Sequence, residues 1–153
     1  MNYKPSIDEI QSLKNIKLMM EIYDRRRYRP LIRDEVAILR SLVKDFMRKI
    51  EKGDVWEIKE SEYEMLDEFL RGRMENEARS MLFATETILY LMHHNNRSID
   101  IYLGRGSDEI SVSARMVQEA LNLQRGGYGE IEPGEGEILL ELWIDELQRR
   151  RLT

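Results

Sequence analysis

Five arginines fall within nine residues at Arg25-Arg26-Arg27-Tyr28-Arg29-Pro30-Leu31-Ile32-Arg33, in a chain of 153 residues whose formal net charge is -5. Guanidinium groups at that density could grip phosphates, with Tyr28 stacking on a base, or could pair with carboxylates of the same chain or of a partner subunit. The overall acidity opposes DNA and favours the second use. Arg25, Arg26, Arg27, Tyr28, Arg29 and Arg33 therefore read as a docking corner for a protein partner, with nucleic acid as the alternative ligand.

Other candidate chemistry is thinner. His93-His94 is the only histidine pair, and neighbours on a helix point about 100° apart, so the two rings do not converge on one ion. Neither Glu-x-x-His nor His-x-x-x-His occurs to supply a helical metal site. Glu57, Glu60, Glu62, Glu64, Asp67 and Glu68 are numerous enough to contain an acid–base pair. Such work needs a carboxylate shifted by a pocket, and a solvated helix face is the simpler reading. Gly104-Arg105-Gly106 lacks the third glycine and the Lys-Ser/Thr pair of a phosphate loop, and no Gly-x-Ser-x-Gly accompanies the serines. No catalytic or metal-binding residue is assigned and no cofactor is expected.

The elements that must position these residues are mostly helices. Ser6-Ile7-Asp8-Glu9 reads as a capping box. The helix it opens runs to about Asp24, with Ile7, Ile10, Leu13, Ile16, Met20 and Tyr23 on one buried stripe. Pro30 interrupts the arginine cluster, and a second helix follows from about Leu31 to Glu51 with Val36, Leu39, Leu42, Val43, Phe46 and Ile50 inward. Gly53 stops it. A second capping box at Ser61-Glu62-Tyr63-Glu64 opens a stripe that persists to about His94. Unbroken, that helix would be roughly 50 Å long, and Gly72 is the place for a break.

Beyond Asn95-Asn96 the period changes. Ile99, Ile101 and Leu103 alternate with Ser98, Asp100 and Tyr102, which predicts a half-buried strand, and Gly104 to Ser107 predicts a turn into a second strand over Glu109 to Val112. A short helix from Ser113 to Gln124 follows, then a third short strand at Glu130-Ile131-Glu132. The last helix, Glu135 to Arg151, is expected to turn Ile138, Leu139, Leu142, Trp143 and Leu147 inward. Its Arg149-Arg150-Arg151 suits the negative end of the helix dipole. The fold class is thus mainly α: a helical domain over residues 1–95, then a small hairpin-plus-helix (α/β) module with a terminal helix over 96–153.

Composition bounds the rest. A hydrophobic fraction of 42% with 35% charged residues describes a globular chain, and the absence of cysteine excludes disulfides, thiolate metal sites and cysteine nucleophiles. The residues after Met1 show no apolar signal segment, and no apolar run approaches the length that crosses a bilayer. An intracellular setting, cytoplasmic or nucleoid-associated, is therefore expected, without a membrane partner. Residues 1–50 hold 12 Lys/Arg against 7 Asp/Glu, whereas 51–153 hold 12 against 22. Two electrostatically opposite regions fit a bridging role. Eight of the methionines fall in predicted helices as core filler. The apolar residues Met47, Phe83, Tyr90, Leu91, Trp143 and Ile144 supply a second face for an oligomer interface.

The stretch from Glu35-Val36-Ala37-Ile38 through Arg48-Lys49-Ile50 resembles the central helix of the archaeal GINS family, which ends in a basic pair before an aliphatic residue. Glu62-Tyr63-Glu64-Met65-Leu66 is similar to the acidic start of that family's next helix. Ile99 to Leu103, Ala114 to Gln124 and Arg125-Gly126-Gly127-Tyr128-Gly129-Glu130-Ile131 resemble its small β-rich domain. The resemblance implies a non-enzymatic replication factor that assembles as a tetramer and joins the replicative helicase. The expected function is accordingly a scaffold or adaptor subunit of a nucleic-acid-processing assembly, with protein partners in a homo- or hetero-oligomer. Two other classes stay open: a small acidic regulator, of cellular or viral origin, that binds and inhibits a polymerase, and an enzyme whose site goes unrecognised.

Overall fold

Ser6 and Glu9 open the first helix as the capping box requires. The Glu9 amide donates to Ser6 Oγ at 3.1 Å, and the Ser6 amide donates back to the Glu9 carboxylate. The computed structural model describes residues 4–25, 33–53, 58–72, 77–103, 112–124 and 134–152. These hold seven helices: α1 (Ile7–Arg25), α2 (Arg33–Glu51), α3 (Glu60–Arg71), α4 (Glu77–His94), α5 (Asn96–Tyr102), α6 (Val112–Gln124) and α7 (Glu135–Leu152). The chain is mainly α, and no strand occurs among the described residues.

The predicted long helix is two helices. Gly72 adopts the left-handed conformation (φ 66°, ψ 26°) and its amide closes onto the Phe69 carbonyl at 3.2 Å, so the chain leaves the helical path after Arg71. The second capping box lies two residues earlier than Ser61. Lys59 is the N-cap, and its amide donates to Glu62 Oε1 at 3.1 Å while Ser61 is already inside the first turn.

The predicted strand over Ile99 to Leu103 is helix α5 instead. Ile99, Tyr102 and Leu103 are buried and Ile101 is half-buried, which is an i, i+3, i+4 face rather than alternation. A short apolar run satisfies both periods, and here the core takes the helical set. Lys49 of α2 reinforces the choice. Its ammonium donates to the carbonyls of Ile101 (3.2 Å) and Tyr102 (3.4 Å), lies 3.4 Å from Asp45 and sits 4.9 Å from the Tyr102 ring centre. The last carbonyls of α5 thereby gain a cationic cap. Of the predicted second strand, Val112 opens α6 and residues 109–111 lie outside the described residues, as do the 104–107 turn and the third strand at 130–132.

One hydrophobic core runs through all seven helices. α1 lies against α4, α6 and α7; α2 against α3 and α4; and α5 contacts α4 and α6. Phe46, Phe69, Leu13, Ile16, Met19 and Met20 are among its fully buried side chains. Residues 1–95 and 96–153 both contribute to it, because α1 packs directly on α6 and α7.

The packing of α7 departs furthest from expectation. The buried line is Gly136, Leu140, Ile144 and Leu147, whereas Ile138 and Leu142 are each 60% exposed. Apolar residues at 138–140 and 142–144 surround this helix, so periodicity alone leaves two faces of similar quality. Gly136 decides between them. A Cβ there would stand 2.3 Å from the Ala120 carbonyl oxygen, 2.7 Å from Met20 Cε and 2.8 Å from Gln124 Oε1. Only a glycine admits α6 that close, and the Gly136 amide donates to Gln124 Oε1 at 3.1 Å. With Gly136 facing α6, the residues at 140, 144 and 147 follow inward and those at 138 and 142 turn out.

Candidate docking surface

Once Gly136 has fixed its rotation, α7 presents Glu135, Ile138, Glu141, Leu142, Asp145, Arg149 and Leu152 to solvent. Spacings of three and four make these a continuous outer face. It is acidic around Ile138 and Leu142 and basic at its end, where Arg149 and Arg150 both bind the Glu146 carboxylate. Leu152 is 88% exposed.

Where α7 ends, it meets the start of α1. Arg151 Nη1 donates to the Pro5 carbonyl at 3.0 Å, and Lys17 joins Glu141 at 3.7 Å and Glu21 at 3.2 Å. Between the two helices lies a groove of about 380 Å³ lined by the apolar Ile7, Ile10 and Leu152, the cations Lys14 and Arg151, and the amides of Gln11 and Gln148. Ile7, expected in the buried stripe of α1, is 66% exposed here. Apolar walls with two cations suit an amphipathic segment bearing carboxylates.

Glu9 of α1 is buried with the Ser113 hydroxyl donating to its carboxylate, which ties α1 to α6. Burial pushes the Glu9 carboxyl above its ordinary value, against the opposing effect of the hydrogen bonds from Ser113 and Ser6. Asp100 on α5 is also buried, its Oδ1 has no hydrogen-bond partner, and desolvation raises its pKa. Neither carboxylate lines the groove. Their place is structural. A second, more polar pocket of about 300 Å³ gathers Tyr23, Glu62, Glu86, Thr87 and Tyr90.

Of the predicted docking corner, only Arg25 and Arg33 fall among the described residues. Arg25 ends α1 and Arg33 begins α2, while Arg26, Arg27, Tyr28 and Arg29 lie outside the described residues. Met47, Leu91 and Ile144 are buried in the chain's own core, and Trp143 is half-buried against it. Tyr90 is 37% exposed, with its ring 4.4 Å from His94. Phe83 belongs to α4, and its side chain lies outside the described residues. The surface that sequence reasoning missed is Ile138, Leu142, Leu152 and Ile7. Its one sequence signal was Gly136, a glycine in the first turn of an otherwise good helix former.

His93 and Gln118 form a polar link between α4 and α6. Gln118 Nε2 reaches the His93 carbonyl (3.1 Å), His93 Nδ1 (3.2 Å) and Asn122 Oδ1 (3.3 Å). Among the described residues there is no group of three His, Asp or Glu placed to hold a metal ion, and no helix long and apolar enough to cross a membrane. Comparison with protein-family models, curated proteins and solved structures returns no match for this chain.

Proposed function

We propose that the chain is a non-enzymatic adaptor that docks through the outer face of α7 and the groove beside it. The observation that carries the reading is the pair Ile138 and Leu142, one turn apart and exposed on a helix whose opposite face is already packed on α1 and α6. Burying such a side chain fully from full exposure is worth about 1.5–3 kcal/mol, and a partner recovers the share that corresponds to the 60% still exposed here. Two side by side, with Leu152 and Ile7 further along, make a patch that a partner can use.

A nucleic-acid-processing assembly is the setting we assign to this adaptor. Its support is the GINS-like sequence between Glu35 and Leu66, together with a basic first third and an acidic remainder suited to bridging unlike surfaces. Affinity capture from the native host tests both parts, using the wild-type chain beside an Ile138→Glu/Leu142→Glu variant of matched helicity. Replication or repair subunits should accompany the wild type and be lost from the variant. An identical partner set with both chains overturns the docking assignment. A polymerase captured and inhibited, with no nucleic acid bound even at low salt, would instead make the chain an acidic regulator.

A further inference from the structure

Taking that docking face as its starting point, we infer that its first occupant is a second copy of this chain, laid antiparallel so that the two α7 helices cover one another. The charge order along α7 carries the inference. Glu135, Glu137, Glu141 and Asp145 come first along it, its last turn bears Arg149, Arg150 and Arg151 with Glu146 offsetting one of the three charges, and Lys14 adds a further cation beside that last turn. A parallel pair would set like charge on like, whereas an antiparallel pair sets each acidic half over the basic end of the other copy.

The apolar groups follow the same order. Ile138 and Leu142 stand among the acids, Leu152 and Ile7 stand beside the cations, and Leu142 and Leu152 are about 15 Å apart along the axis at 1.5 Å per residue. Antiparallel pairing brings the first pair of one copy onto the second pair of the other, and does so twice about a two-fold axis. That is the self-complementarity a closed dimer requires. A foreign basic helix would match the acidic half alone and leave Lys14, which forms no ion pair among the described residues, without a counter-charge. A second copy satisfies both halves together. One helix pair is a small interface, so the dimer should be weak.

Sedimentation velocity over a concentration series, at low and high salt, reads the equilibrium. The wild type should pass from monomer to dimer as concentration rises, less readily at high salt. Two charge-reversed chains use exposed positions only: Glu141→Lys/Asp145→Lys sets cations into the acidic stretch, and Lys14→Glu/Arg149→Glu sets acids into the basic end. Each alone should dimerise at least about tenfold more weakly than the wild type, and their equimolar mixture should recover a heterodimer. A wild type that stays monomeric throughout, or a dimer untouched by both reversals, overturns the inference. The adaptor reading fails separately. A monomeric chain that still loses its partners through Ile138→Glu/Leu142→Glu keeps the adaptor and removes the self-pairing, and a swap-restored dimer that captures no other protein does the reverse.

Discussion

Gly136→Ala is the substitution on which the account of α7 depends most directly. In a solvent-facing helix the change favours folding by up to about 1 kcal/mol, because alanine restricts the unfolded chain and glycine does not. Here the added methyl meets the Ala120 carbonyl oxygen at 2.3 Å, a backbone atom within α6 that has no rotamer to change. It also meets Gln124 Oε1 at 2.8 Å, the acceptor for the residue's own amide. Overpacking of this kind costs about 1–3 kcal/mol, and weakening the Gln124 hydrogen bond adds about 1 kcal/mol. Set against the propensity gain, the expected net loss is about 1–3 kcal/mol, or a fall in Tm of about 2–10 °C for a chain of this length. Urea unfolding followed by far-UV circular dichroism measures it, and Trp143 fluorescence reports whether α7 rotates to escape the clash. A midpoint equal to or above that of the wild type would mean that α6 and α7 do not approach at Gly136. The explanation for the outward turn of Ile138 and Leu142 would then fall as well.

Two further predictions concern the rest of the fold. Gly72→Ala should destabilise by about 1–2 kcal/mol and Gly72→Asn by less, because φ is 66° while the nearest atom to a new Cβ, Arg40 Nη2 at 3.7 Å, is in ordinary contact. Equal stability of all three in urea would deny the left-handed break between α3 and α4. Glu9→Gln tests the buried carboxylate: its folded pKa is raised above 4.5, so the folded chain binds the proton more tightly than the unfolded one. That contribution is complete below 4.5 and is lost as pH rises through the folded value, so the variant should gain stability relative to the wild type between acid and neutral pH. Asp100→Asn should show the same sign from an ordinary value of 3.8, and for either variant a stability difference that does not change with pH would refute the burial argument.

Helices whose apolar residues keep to a single stripe were legible from spacing. α2 buries Leu39, Leu42, Val43 and Phe46 as their 3.6-residue period requires, and Met47, read as interface, completes that buried face. The break at Gly72 was legible as a place but not as a fact, since glycine permits the left-handed turn without compelling it. At α5 the sequence was ambiguous in a definite way. Ile99 and Leu103 fit a strand when Ile101 is counted and a helix when Tyr102 is counted. The tie is broken by the helical face fitting the core and by Lys49, a residue about fifty positions away. No local pattern contains that contact.

The docking face was illegible for a related reason, and α7 shows what kind of information was missing. Ile138 and Leu142 are no less hydrophobic than Leu140, Ile144 and Leu147, so ranking residues by type cannot say which set is core and which is surface. The asymmetry enters through a residue with no side chain: because Gly136 brings α7 against α6, burying one set leaves the other in water. An apolar surface produced in this way is a consequence of register. It follows that a change at Gly136 should alter association as well as stability, whereas Ile138→Glu/Leu142→Glu should alter association while leaving stability within about 0.5 kcal/mol of the wild type, as exposed sites do. Parallel losses from both changes would place Ile138 and Leu142 in the core and dissolve the distinction between the two faces of α7.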